Sequence, residues 1–558
     1  MLTFMHTYTE ESWEGLDRKG LFRQGDGLKL MSKVYSPKGR DFNSMLAKNA
    51  PLSRLLEELR CPFYIDRLQG GVGLPHWYPY DPVIVHRLIS LLGDDFWGWQ
   101  IHEWASNYNS DISRIKELYK KLGAADPTPE QRFEIWQSVR AGREKLFLEA
   151  LTQEEWTGRR EPADLAMFLD DINWLYGMRA SMTGSRLVPA DSYFMAPRIE
   201  LAGGAKILLP EVGWQIPNAR VQMAYTRGMA RAAGVPWGIY YECWCYNHAA
   251  GGLTIPLSLR KGQDEWCEDL VKSYTATGRS PEQLEQGGTS RNLQQRLWRY
   301  AYFSGASVIG EEYGVCNTFR DYEDFDLGPY GQTKKEFLDF ASRFEDLGQP
   351  YTPIAVVLPK DLPVLQVNLP ENYLNYPASD RSGGPDPAAW QMIRQILPEL
   401  FGTAGTGNNA HVLTPGGLPD VFDIIHADDE KALSRYDYLI DLTGGSVFPP
   451  ENHVITPEEA DTILTDLLPL RIGGGVHTAY NKKGSGWLVF AANNNGVSCD
   501  NYEGDRIDPA AAVTAEIRYR DPASCVRVLD GTGGICREDG RDTVCLGGGE
   551  WLLMALDN

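Results

Sequence analysis

Two glutamates, each closing a short apolar run, are the residues of this sequence best placed to do chemistry. One run is FWGWQIHEW, in which Glu103 precedes Trp104; the other is VPWGIYYECW, in which Glu242 precedes Cys243. Each reads as a buried strand with a carboxyl group at its C-terminal end and tryptophan close by. Cleaving an acetal needs one carboxyl group to protonate the leaving oxygen and another to meet the positive charge at the anomeric carbon. A single strand-end glutamate reads as a salt-bridge or helix-cap partner; two such sites read as a catalytic pair.

The neighbouring residues extend this reading. Period-two alternation puts Trp97, Trp99, Ile101 and Glu103 on one face of the first run, and Gln100 and His102 on the other. An apolar wall of Trp97, Trp99 and Trp104 would favour the protonated form of Glu103 by desolvation. Around Glu242, Tyr241 and Trp244 offer rings and hydrogen-bond donors of the kind a hydroxyl-rich ligand needs. Further candidates for binding such a ligand are Glu211 and Trp214 in LLPEVGW, and Glu311, Glu312 and Tyr313 in VIGEEYG. If Glu242 is structural, Glu311 or Glu312 is its first substitute. Arg67 ends an earlier strand, and the loop QGGVGLPHWYPYD after it carries His76 as a hydroxyl ligand and Trp77 as a stacking platform. Both of these read equally well as loop packing.

These residues need a scaffold. Apolar strand-like runs alternate with amphipathic helical stretches, which predicts an α/β architecture. The predicted strands are 2–8, 28–34, 61–67, 96–103, 186–194, 207–213, 236–243 and 306–312. That count is the count of a TIM (β/α)8 barrel, with Glu103 ending strand four and Glu242 ending strand seven on the active-site face. A helical insertion is expected over about 110–183. The barrel spans 1–349 in this reading. A small open α/β domain follows over 350–462, and a C-terminal antiparallel β-domain, a small sandwich, over 463–558.

Composition excludes several classes. The chain has 558 residues and a net charge of −21, with no Lys/Arg block, which argues against a nucleic-acid groove or an anionic membrane surface. No apolar stretch approaches the roughly 20 residues of a membrane span. The first residues lack the pattern of a secretory signal, and the nine cysteines are scattered without paired zinc spacing. A cytoplasmic protein that needs no metal or other cofactor is expected.

At the residues quoted, the chain resembles the retaining β-galactosidases of glycoside hydrolase family 42. FWGWQIHEW is similar to that family's strand four, with Glu103 at the acid/base position. AYTRGMARAAGVPWGIYYECW is similar to its strand seven, with Glu242 at the nucleophile position, and LWRYAYFSGASVIGEEYG is similar to the run leading into strand eight. The resemblance implies an exo-acting enzyme on an oligosaccharide or glycoside, working by double displacement. It also implies a homo-oligomer, a trimer built through the middle domain. His102 stands where the family has an asparagine that binds the sugar's 2-hydroxyl, and Glu311–Glu312 replace aromatic and basic residues. The family's cysteine zinc cluster is missing and the 110–183 insertion is large. These departures bear on the sugar more than on the reaction type, so a related clan enzyme for a mannoside, glucuronide or arabinoside stays open. So does a non-catalytic carbohydrate-binding protein on a degenerate barrel.

Overall fold

The computed structural model describes residues 2–556 apart from 9, 23–28, 33–43, 45, 66–80, 124–126, 151–164, 183–184, 215, 248–251, 255–277, 279, 313, 361–386, 446–447, 501–502 and 539. Eight parallel strands form a closed barrel. They are β1 (Thr3–Tyr8), β2 (Lys29–Ser32), β3 (Phe63–Ile65), β4 (Phe96–His102), β5 (Leu187–Asp191), β6 (Leu209–Gly213), β7 (Gly238–Glu242) and β8 (Val308–Glu311). β8 pairs with β7 on one side and with β1 on the other, which closes the ring. These are the eight strands expected from the sequence, each trimmed at its ends.

Strands in such a barrel are covered on both faces, so they read as nearly continuous apolar runs. The interior is filled by side chains from the strands themselves, among them Met5, Tyr64, Val188, Leu209 and Tyr240, with Trp97 packed against them. The alternate residues, such as Phe4, Ile101, Ile239 and Ile309, point outward into the layer shared with the helices. The expected insertion is helical: Pro129–Ala150 and Leu165–Met182 lie within it, and the helix Trp104–Lys121 runs into it from the end of β4.

Beyond the barrel, Gln349–Pro350 pairs with Asn481–Lys482 before the chain enters a second sheet. That sheet is parallel, with Ile354–Leu358 between Phe422–His426 and Tyr438–Asp441 and His453–Val454 at its edge. Among the described residues, antiparallel sheets of five and four strands and a two-stranded pairing of Val497–Asp500 with Gly504–Ile507 follow. The fold is therefore the expected one, a TIM barrel followed by an open α/β unit and antiparallel β-structure.

A buried charge network ties the helix Ala219–Ala233 to the second sheet. Arg220 Nη2 lies 2.6 Å from Asp420 Oδ1, His477 Nε2 lies 2.6 Å from Asp420 Oδ2, and the Tyr300 hydroxyl donates to the same carboxylate. Burial alone would favour protonated Asp420, but the Arg220 charge and the His477 contact outweigh it and hold the carboxyl well below its usual range. Arg227 and Arg231 hold Asp423 in the same way, each at 2.6 Å. Among the described residues no helix is long and apolar enough to cross a membrane.

Candidate active site at the barrel mouth

β4 does not keep the alternation that its sequence suggests. Gly98 has φ +116°, and a Cβ there would lie 2.0 Å from the Arg186 carbonyl oxygen, so only glycine fits. The pairing of β3 with β4 slips by one residue at this point, from Phe63 opposite Phe96 to Tyr64 opposite Gly98. The slip reverses the faces. Trp97 points into the barrel, whereas Trp99 points out and packs edge-on against Phe96, with ring centroids 4.9 Å apart. Trp99 is 1% exposed in the outer layer and is not part of the site expected of it.

Past the slip, Gln100 and His102 face inward and Ile101 outward. Glu103 leaves the strand in a left-handed turn, φ 47° and ψ 40°, at the start of the helix Trp104–Lys121. Its N–H donates to the Ala190 carbonyl over 2.8 Å. Asp191, at the end of β5, fixes this corner by accepting from the Ala105 N–H at 2.7 Å and the Tyr193 N–H at 2.9 Å. Trp104 turns away, its Nε1 donating to Glu200 over 3.1 Å and its ring 5.0 Å from that of Tyr176. The tryptophan wall expected around Glu103 does not form, because the slip and the left-handed turn send its members in different directions.

The inward-facing residues meet instead at His102. Its Nε2 lies 3.2 Å from Glu211 Oε1 and 3.5 Å from Glu312 Oε1, and its Nδ1 lies 3.8 Å from Glu103 Oε2. The Tyr240 ring stands edge-on to the imidazole at 5.6 Å. Glu312 is held on its other side by Trp244, whose Nε1 donates to Oε2 over 2.5 Å, while the Glu312 N–H donates to the Tyr241 carbonyl over 3.0 Å. Glu103 keeps 18% of its side chain exposed; the side chains of His102, Glu211 and Glu312 are all but sealed.

Glu242 ends β7 two residues after Tyr240, so it shares the inward face. It is fully buried against the end of β6. There Gly213 leaves the room it needs: a Cβ at that position would sit 2.4 Å from Glu242 Cβ and 3.0 Å from its Oε2. Glu211 lies two residues earlier on the same strand and face. Thus β4, β6, β7 and the end of β8 each deliver a carboxyl group, or the histidine that links them, to one end of the barrel.

Two expected site residues lie elsewhere. Glu311 points outward, since Val308 and Gly310 take the inward positions of β8. It forms a fully buried ion pair with Lys334, whose Nζ lies 2.5 Å from Oε1 and 2.6 Å from the Thr318 hydroxyl. Tyr241 likewise points outward, with its ring 5.4 Å from that of Trp298 and its hydroxyl 2.7 Å from that of Thr289. Trp214 is half-buried, edge-on to His411 at 5.3 Å. Arg67, His76, Trp77 and Tyr313 lie outside the described residues.

The ligand atoms of His102, Glu211 and Glu312 all lie within 4.8 Å of one another. Tetrahedral coordination with bonds of 2.0–2.1 Å separates neighbouring ligand atoms by about 3.3 Å. The observed 3.2 and 3.5 Å from Nε2 fit that spacing, so these three residues could hold a divalent ion. No local pattern in the sequence marks this set, because its members come from three separate strands. Tyr240, Asp191 and Gly213 are not among the expected site residues. Counting back two from Glu242 would have given Tyr240 and not Tyr241; nothing local marks the other two.

No protein-family model and no curated protein matches the chain. Among solved structures, the chain is similar to a β-galactosidase from Bacillus circulans sp. alkalophilus, with 10% identity, 100% of this chain and 99% of that one covered, and a TM-score of 0.46. It is also similar to a GH42 β-galactosidase from G. stearothermophilus, with 8% identity, 99% and 98% coverage and a TM-score of 0.48. For the α-L-fucosidase isoenzyme 2 of Paenibacillus thiaminolyticus the values are 9% identity, 100% and 99% coverage and a TM-score of 0.41. At these low scores the barrel rests on its own strand pairing.

Proposed function

We propose that the chain is a retaining glycoside hydrolase that acts on β-linked sugars by double displacement, with Glu103 as acid/base and Glu242 as nucleophile. The observation that carries this reading is the convergence of carboxyl groups on the barrel mouth: Glu103 from the turn after β4, Glu211 from β6, Glu242 from β7 and Glu312 from the turn after β8. Acetal cleavage uses a pair of carboxyl groups that flank the scissile bond.

Glu103 is the more exposed of the pair and protonates the departing glycosidic oxygen. Glu242 attacks the anomeric carbon, and the glycosyl-enzyme ester is hydrolysed by a water that Glu103 deprotonates. His102 stands between Glu103 and the inner carboxylates and fixes their orientation. Glu211, Glu312 and Trp244 line the inner wall against sugar hydroxyls. Trp214, Arg67, His76, Trp77 and Tyr313 stay candidates for binding the rest of the substrate. Exo action, a galactose-type sugar, a trimeric assembly and a cytoplasmic setting follow the resemblance in the sequence.

A panel of nitrophenyl glycosides tests the proposal. At least one β-glycoside should be hydrolysed, and Glu103→Gln and Glu242→Gln should each lower kcat by orders of magnitude while the protein stays folded by circular dichroism. Hydrolysis that survives both substitutions would overturn the assignment of these two residues.

A further inference from the structure

Away from the barrel mouth, a cavity of about 420 Å³ opens between the helix Arg291–Phe303, the helix Pro329–Arg343 and the C-terminal β-structure. Its walls include Arg296, Arg299, Arg343, Glu336, Asp530 and Trp551. Two of these arginines are buried, Arg296 at 1% exposure and Arg299 at 6%.

Their partners are uncharged. Arg296 donates from Nε to the Asn292 side-chain oxygen over 2.8 Å and from Nη1 to that of Asn494. Arg299 donates to the backbone and side-chain oxygens of Gln295 and lies between the rings of Phe340 and Trp551, at 5.0 and 4.8 Å. Its Nε is buried without a hydrogen-bond partner. The carboxylates on the wall are engaged elsewhere. Asp530 pairs with Arg343 at 2.5 Å, Asp339 with Lys335 at 2.9 Å, and Glu336 accepts from the Gln295 amide at 2.5 Å.

A buried guanidinium whose hydrogen bonds go only to neutral oxygens is costly to keep, and its planar fork matches the oxygens of a carboxylate or phosphate. Burial pushes the pKa of both Arg296 and Arg299 down to about 10, outweighing the attraction of Asp505 for Arg296 and of Asp530 and Glu336 for Arg299. The cavity has the size of a small-molecule site. We infer that it binds a small oxyanion, a phosphate or carboxylate group on a molecule no larger than a monosaccharide, through Arg296 and Arg299. A ligand held there touches barrel helices and the C-terminal β-structure together, so its occupancy stabilises their junction.

The test is thermal unfolding of the full chain with inorganic phosphate, and separately with acetate, at constant ionic strength set by sodium chloride. The expected result is a saturable rise in Tm with at least one of the two, lost in Arg299→Gln. No rise with either anion, or an equal rise in Arg299→Gln, would overturn the inference. Should that variant not fold, titration calorimetry on the wild-type chain decides: saturable heat with phosphate or acetate supports the site, and its absence with both overturns it. Glycoside hydrolysis enters none of these readouts, so the outcome is separate from the assignment of Glu103 and Glu242.

Discussion

His102 Nε2 lies 3.2 Å from Glu211 Oε1, joining β4 to β6 across the mouth of the barrel. With Glu312 at 3.5 Å, the contact gathers three ligand atoms at the spacing of a metal's coordination shell. The proposed reaction needs no metal, so an ion taken up here would compete with the substrate. Zinc is therefore expected to inhibit hydrolysis, EDTA to restore it, and His102→Ala to remove the zinc sensitivity. Initial rates across a zinc titration check this; loss of activity on EDTA treatment alone would reverse the reading.

Gly213 makes room for Glu242. A methyl group there would meet Glu242 Cβ at 2.4 Å and the Glu242 carbonyl oxygen at 2.7 Å, and neither can yield easily. Gly213→Ala is expected to displace the Glu242 side chain and abolish hydrolysis, with a stability loss of about 1–3 kcal/mol from overpacking. Thermal unfolding and kcat, measured together, check both parts.

The adjacent Glu311 and Glu312 are expected to behave oppositely. Lys334→Met leaves Glu311 buried without its cation and should cost about 3–5 kcal/mol, visible in denaturant unfolding. Glu312→Gln keeps the shape and the Trp244 contact, so it should leave stability nearly unchanged while lowering kcat/KM.

Stability should also depend on pH through Glu200 and two histidines. Burial raises the Glu200 pKa from 4.5 to about 8, so the folded state holds this proton more tightly than the unfolded chain. The associated stabilisation is full below about pH 4.5 and is lost as pH rises to about 8, a change on the order of 5 kcal/mol. His426 and His477 are lowered to about 4 by burial. Their contribution is full above the ordinary histidine pKa of about 6.5 and is lost as pH falls toward 4. Tm is therefore expected to peak near pH 6.5, and Glu200→Gln should flatten the decline between pH 6.5 and 8 and steepen the rise between pH 4.5 and 6.5, where Glu200 opposes the two histidines.

All eight barrel strands were legible because each is an apolar run bounded by polar turns and separated by helical spacing. So were Glu103, Glu211, Glu242 and Glu312 as residues at strand ends. Facing was not legible in two places. Trp99 was set inward by strict alternation, but the slip at Gly98 turns it out. Tyr241 stands next to Glu242 in the sequence, but alternation gives the face of Glu242 to Tyr240. In the sequence Glu311 and Glu312 are equals, since only the position of Lys334 on a later helix separates the buried ion pair from the inward-facing carboxylate. The room that Gly213 leaves for Glu242 comes from pairing between strands, which no local pattern records.

In the proposed reaction Glu242 forms a bond to sugar. The most direct measurement takes the nitrophenyl glycoside that the protein hydrolyses best and incubates the protein with the matching 2-deoxy-2-fluoro glycosyl fluoride. Peptide mass spectrometry then locates the trapped sugar. The expected result is one sugar per chain, esterified to Glu242; a sugar trapped on Glu211 or Glu312 would contradict the assignment.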